Sequence, residues 1–266
     1  MGSINHSKIA ILSTVINFDL YHKSAQLFPN TIQKYVIDGR NGMHGLQSIF
    51  YMMKKLKGRS IDWLVMADED VLFQSPDLVF EIIQKMEMEQ YTVCGVRDGG
   101  ILSHRAYNPF LINTFFSIVN FKEIESLWVK KKVVKNNFIL ENEFDDDITG
   151  LKGLYDVKSL YEPYYIFYLW LRRNNKQFLF LDSNHPFQKD QITNTVYFDN
   201  KILLHHTWYA RAYGNNEKHT KRIDTIFNLL NFENCVQVDP IIFKHKWYYY
   251  YTRGHKMFRR IVRIFR

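Results

Sequence analysis

Asp68 and Asp70, one residue apart in Asp68-Glu69-Asp70, are the side chains whose type and spacing best suit metal binding. Hard divalent cations prefer carboxylate oxygens, and two that face one pocket leave coordination positions for the phosphates of a nucleotide. The triplet follows the strand-like run Asp62-Trp63-Leu64-Val65-Met66-Ala67. A solvated acidic turn is the alternative. Val71, Leu72 and Phe73 return at once to apolar character, which sets the carboxylates into the body of the protein. A second group, His205-His206-Thr207-Trp208-Tyr209-Ala210-Arg211, follows the apolar pair Leu203-Leu204. Side chains alternate along a strand, so the two histidines face opposite sides. His206, at the strand end beside Trp208, is the candidate third ligand. A lone histidine in such a place is more often structural; the separate carboxylate motif is what makes it a ligand candidate. Arg211 and Lys218 offer positive charge to a pyrophosphate.

These residues need elements to hold them. Lys8–Asn17, Lys34–Ile37, Ile61–Ala67 and Tyr91–Val96 read as apolar, β-branched strands. Between them, 20–28, 45–56 and 76–88 have helical spacing, the last with Ser75 placed to cap it and Pro76 at its first position. Strand alternating with helix predicts an α/β fold, its parallel sheet covered on both faces. Ligands in such folds sit at the carboxyl ends of strands, where Asp38, Asp68 and Arg97 fall. The second half is less regular. A strand is expected over 108–120, a charged helix over 121–135, an acidic loop from Glu141 to Asp147 and a helix over 161–173 with Glu162 in its first turn. Short strands are expected over 178–181 and 201–204, and a helix over 223–230.

Strand, Asp-x-Asp and helix, preceded by two βα units and followed much later by a histidine before an aromatic residue, resemble the GT-A glycosyltransferases. The resemblance spans roughly residues 8–230 in layout and implies a Rossmann-like mixed sheet. It also implies a nucleotide-sugar donor, UDP-sugar first, and Mn²⁺ or Mg²⁺ held by Asp68, Asp70 and His206. The metal of that family anchors the donor diphosphate and stabilises the departing nucleoside diphosphate. By the same likeness, nucleotide and donor would meet Thr14 at the end of the first strand, Asp38 and Arg40 at the second, Arg97, Asp68 and Arg211. Asp38 before Gly39 is equally a turn former. An inverting enzyme further needs a carboxylate base. Glu162 and Asp147 are the candidates, with Asp145 and Asp146 beside the latter. A nucleotidyltransferase using the same metal geometry is an alternative, against which no Gly-rich phosphate loop follows the first strand.

Net charge is +8. Lys244, Lys246, Arg253, Lys256, Arg259, Arg260, Arg263 and Arg266 equal that whole excess, and no Asp or Glu lies among them. The division is therefore a catalytic domain over 1–235 and a basic aromatic tail over 236–266. With Trp247, Tyr248 to Tyr251 and the amphipathic set Met257, Ile261, Ile264 and Phe265, residues 244–266 suit an anionic membrane surface. A solubilising end helix packed on the domain is the second reading, and a nucleic-acid binder the weakest, because the body is near neutral. Cys94 and Cys235 form no motif, no signal-like or membrane-spanning run is present, and a cytoplasmic enzyme peripheral to the inner membrane face is expected, its acceptor a glycan or lipid-linked glycan.

Overall fold

The computed structural model describes residues 4–230 and 238–250. Seven strands form the main sheet: β1 (Ile9–Val15), β2 (Gln33–Asp38), β3 (Trp63–Ala67), β5 (Tyr91–Arg97), β6 (Ile112–Asn120), β7 (Gln177–Phe180) and β11 (Ile241–Phe243). Their order is β11-β2-β1-β3-β6-β5-β7. Only β6 runs antiparallel to its neighbours, β3 and β5. A smaller sheet is built from β4 (Val71–Phe73), β8 (Asp182–Asn184), β9 (Asn194–Phe198) and β10 (Lys201–His206), in the order β4-β10-β9-β8.

The strands of the main sheet are buried on both faces because successive side chains feed two separate cores. Along β1, Ile9 and Ile11 enter one core, with Tyr21 of α1 (Phe18–Ser24) and Ile82 and Ile83 of α3 (Leu78–Met88). Ala10 and Leu12 enter the other, with Ile49 and Met53 of α2 (Leu46–Leu56), Ile124 of α4 (Phe121–Leu127) and Phe167 of α6 (Tyr165–Arg173). This is the mixed α/β sheet with helices on both faces that the strand–helix alternation predicts.

Several elements depart from the sequence reading. The strand expected over 108–120 starts at Ile112, because Asn108 turns the chain: its side chain accepts from Phe110 N and donates to the carbonyls of Val157 and Ser159. The helix expected over 121–135 breaks at Trp128 and Val129, both extended, and resumes as α5 (Lys130–Val133). α6 begins at Tyr165, so Glu162 precedes the helix and is not in its first turn. Ser75 caps nothing with its side chain; α3 starts at Leu78 after a turn whose carbonyls come from Ser75 and Pro76. The expected tail is not all tail. Ile241–Phe243 pairs with Tyr35–Ile37 as the parallel edge strand β11, and Phe243 stacks on Tyr35 with ring centroids 5.6 Å apart. The amphipathic set Met257, Ile261, Ile264 and Phe265, with Cys235, lies outside the described residues. Among the described residues no helix is long and apolar enough to cross a membrane.

Gly99, just past β5, lies against the backbone of Tyr107, which a Cβ would strike. Gly99→Ala is expected to lower stability by about 1–3 kcal/mol through this overpacking. Urea unfolding of the variant checks it, and an unchanged midpoint would mean the 99–107 loop is free to move.

Candidate functional site

The acid triplet lies where β3 ends and the chain turns into β4. Asp68 N donates to Phe115 O at 2.9 Å, and Val71 N closes the turn onto Asp68 O. Glu69 faces β1: its Oε1 accepts from Ile16 N at 2.9 Å and Asn17 N at 3.2 Å, tying the triplet to the end of the first strand. β4 then pairs antiparallel with β10, with His206 opposite Val71 and His205 opposite Leu72. Thr207 donates to Asp70 O from both its backbone N and its hydroxyl. This ladder carries His206 to Asp70, with Nε2 3.3 Å from Oδ1.

The two histidines diverge as strand alternation requires. His205 points away, bound to Thr195 and Gln74, and burial lowers its pKa to about 4. His206 is buried, stacks on Phe115 at 4.0 Å and has no partner for Nδ1 among the described residues. Asp68, Asp70 and His206 share the wall of a cavity of about 490 Å³, within the range of small-ligand sites. Thr14 and Arg211 line it as well, together with His44, Asn113 and Trp208.

Three adjacent carboxyl groups in this setting repel one another. Burial, then Asp70 and Glu69, raises the Asp68 pKa well above the usual carboxylate range. Glu69 is pushed up to about 7, by burial first and then Asp70, against the two N–H groups it accepts from. Among the described residues, no group of three or more His, Cys, Asp or Glu side chains is placed to hold a metal ion by itself. The donor set nonetheless suits a divalent cation that shares its coordination with a ligand: two carboxylates, and a buried imidazole with an orphaned nitrogen.

The other sequence-based candidates sit elsewhere. Asp38 is 3% exposed and held by Arg40 through Nε at 2.9 Å and Nη2 at 2.7 Å, with Lys244 3.7 Å away. The Arg40 contact, stronger than the cost of burial, keeps the Asp38 pKa below its ordinary value. Both residues satisfy each other and neither lines the cavity. Arg97 does not line the cavity: it donates to Pro109 O and lies 3.6 Å from the Phe180 ring centroid. Glu162 pairs with Arg105 at 2.9 Å, and exposed Asp147 binds Thr149. Neither carboxylate reaches the cavity. The acidic loop is not a free lid, since Asp146 is bound by Arg172 and Glu143 by Arg173, both from α6.

Sequence reasoning passed over two residues. Trp208 forms a fixed aromatic wall: its Nε1 donates to Asn194, its ring lies 4.2 Å from that of His206, and its carbonyl accepts from Arg222. Trp208 and Tyr209 both have left-handed backbones, with φ of 57° and 61°, a costly conformation for bulky side chains that concentrates at binding sites. No sequence signal marks that geometry. Asp98, fully buried, accepts from Arg105 twice and from Asn113, Tyr164 and Tyr165. It thereby orients Asn113 on the cavity wall. Its signal in the sequence is an acidic residue directly after the apolar strand β5.

No family model matches the chain, and no curated protein does either. Solved structures resemble it at low levels. A mannosyltransferase from Pyrobaculum calidifontis, in complex with GDP-Man and Mn²⁺, shares 10% identity over 46% of this chain and 47% of its own, with a TM-score of 0.34. The match thus spans less than half of that protein. A glycosyltransferase involved in glycosylation of the major capsid of PBCV-1 shares 16% identity over 65% of this chain and 81% of its own, with a TM-score of 0.40. Mouse xyloside xylosyltransferase 1 shares 9% over 66% and 85%, with a TM-score of 0.35. Overlaps of this size assign no family.

A carboxyl whose pKa is raised in the folded protein favours its neutral form there. The metal-free protein therefore loses stability as pH rises from the unfolded value, about 4, toward the folded one. Asp68→Asn is neutral throughout, so it is expected to melt above the wild type at about pH 8 and to lose that advantage near about pH 4. A wild type that melts at or above the variant at the higher pH would show that the acid cluster carries no such cost.

Proposed function

We propose that this chain is a metal-dependent glycosyltransferase that moves a sugar from a nucleotide-sugar donor to a glycan hydroxyl. The observation that supports this most is the convergence of Asp68, Asp70 and His206, from strand ends far apart in sequence, on one cavity wall. Asp68, Asp70 and His206 would hold Mn²⁺ or Mg²⁺, leaving the remaining coordination positions to diphosphate oxygens. When bound, the metal supplies a positive charge that stabilises the leaving nucleoside diphosphate.

The chain's own residues divide the rest of the task. Arg211, exposed at the cavity mouth, adds charge toward the diphosphate. Thr14 offers a hydroxyl to the nucleotide. Trp208 presents an aromatic ring fixed at both its edge and its backbone, a surface on which a sugar face packs at low entropic cost. Asn113 is locked by Asp98, so this polar part of the cavity wall is preorganised. Glu69 keeps the acid triplet at the end of β1. Among the described residues, the only carboxylates lining the cavity are those of the triplet, so neither Glu162 nor Asp147 is carried forward as a base. A UDP-sugar is the first donor to try, and a lipid-linked glycan at an anionic membrane surface the first acceptor.

Thermal melts with UDP-, GDP-, CMP- and dTDP-sugars, each with and without Mn²⁺, test this reading. One nucleotide class is expected to raise Tm, only with metal, by several degrees at saturation: binding at 100 times Kd adds about 2.7 kcal/mol, and each kcal/mol moves a chain of this size by about 2–4 °C. Asp70→Ala should abolish the shift while retaining the fold. No shift with any donor would overturn the proposal, as would a shift that Asp70→Ala leaves intact.

A further inference from the structure

The described part of the expected tail is built into the body beside α2. β11 extends the sheet beyond β2, and Asn41 Nδ2 donates to His245 O at 2.8 Å to hold the residues that follow. Phe243 lies between two cations of the α2 end, 5.7 Å from Lys55 Nζ and 5.4 Å from the Arg59 guanidinium. The His245 ring sits 5.6 Å from that of Tyr51 on α2. Lys54, Lys57 and Arg59, in or just after the last turn of α2, are exposed, as are Lys244, 3.7 Å from Asp38, and Lys246. Trp247 is 72% and Tyr250 66% exposed, their rings 6.1 Å apart. The acidic residues bordering this surface are Asp239, Glu125, which accepts from Gly58 N, and Asp38, already paired with Arg40.

We infer that the end of α2 and the 241–250 segment form one docking surface for an anionic lipid bilayer, extending the membrane contact proposed above from a tail to a folded patch. The chemistry matches one occupant. Exposed Trp and Tyr settle at the headgroup level, and clustered lysines and arginines are drawn to acidic lipid. The placement also has a use. The 39–45 loop is held by His245 at Asn41 and lines the cavity at His44 and Gly45. This loop thus joins the patch to the cavity wall, and an acceptor carried on lipid would be held by the same face.

Sedimentation of the full chain with phosphatidylcholine vesicles, with and without phosphatidylserine, tests the inference. Binding is expected only with phosphatidylserine and should weaken with salt. The double variant Lys54→Glu/Lys57→Glu, outside the tail, should lower vesicle affinity by about tenfold or more, since each surface cation contributes about fivefold. Trp247→Ser/Tyr250→Ser should lower it too. Unchanged binding by the α2 variant would overturn the shared surface, and so would absence of binding to acidic vesicles. Tighter binding to RNA or duplex DNA than to acidic vesicles, in the same salt, would also overturn it. The metal-dependent donor shift is read on the same proteins: α2 variants that keep it while losing vesicles separate this surface from the cavity, and Asp70→Ala protein should bind vesicles as the wild type does.

Discussion

The antiparallel ladder between β4 and β10 is the constraint on which the site depends. β4 is only Val71–Phe73, too short to stand alone, and it begins one residue after Asp70. Its pairing with β10 converts a turn after a buried strand into a fixed platform. The same register delivers His206 to Asp70, sends His205 into the small sheet and lets Thr207 bind Asp70 O twice. A slip of one residue would exchange the two histidines. The hydrophobic fit of Leu204 opposite Phe73 opposes that slip, because both side chains are buried in the core.

Around that platform the protein separates charges that must be satisfied from charges left available. Asp98, Asp146 and Glu143 are met by Arg105, Arg172 and Arg173, and Asp38 by Arg40. Carboxylates so matched act as fixings; for the fully buried Asp98, loss of Arg105 would strand a charge at a cost of about 3–5 kcal/mol. Among the described residues, the triplet at the end of β3 has no such arginine. Its members receive backbone N–H groups and a histidine, and burial first, then their mutual repulsion, raises the pKa values of Asp68 and Glu69. That imbalance is the physical difference between the site and the ion pairs that surround it.

The first half of the fold was legible because its strands are continuous apolar runs broken by helical periodicity. β1, β2, β3 and β5 fall within a few residues of their predicted places. The Asp-x-Asp and the late histidine were legible for the same reason, since each follows such a run. What failed to show were elements with weak local patterns. β4 is three residues long, β8 is polar, and β9 carries Asn194 and Thr195, buried only because the small sheet pairs them. β11 was hidden by the basic residues after it. Asp38, Arg40 and Arg97 stand at or just past the strand ends where they were expected, but pairing and side-chain direction turned them aside, and Glu162 falls before its helix, held by Arg105. Residue type identifies an arginine or a carboxylate; only the tertiary neighbours decide whether it is spent on structure.

The position of β6 has a consequence for the order of events during synthesis. β3 and β5 are made first, yet they never touch; the strand that joins them arrives later, between them, running the other way. Until Ile112–Asn120 has left the ribosome, β3 keeps an open edge of backbone donors and acceptors, and β5 has no partner on that side. Open edges of buried strands invite pairing with other chains. A nascent chain that pauses before this point is thus the form most in need of a chaperone, and fragments ending short of β6 are the ones that would aggregate.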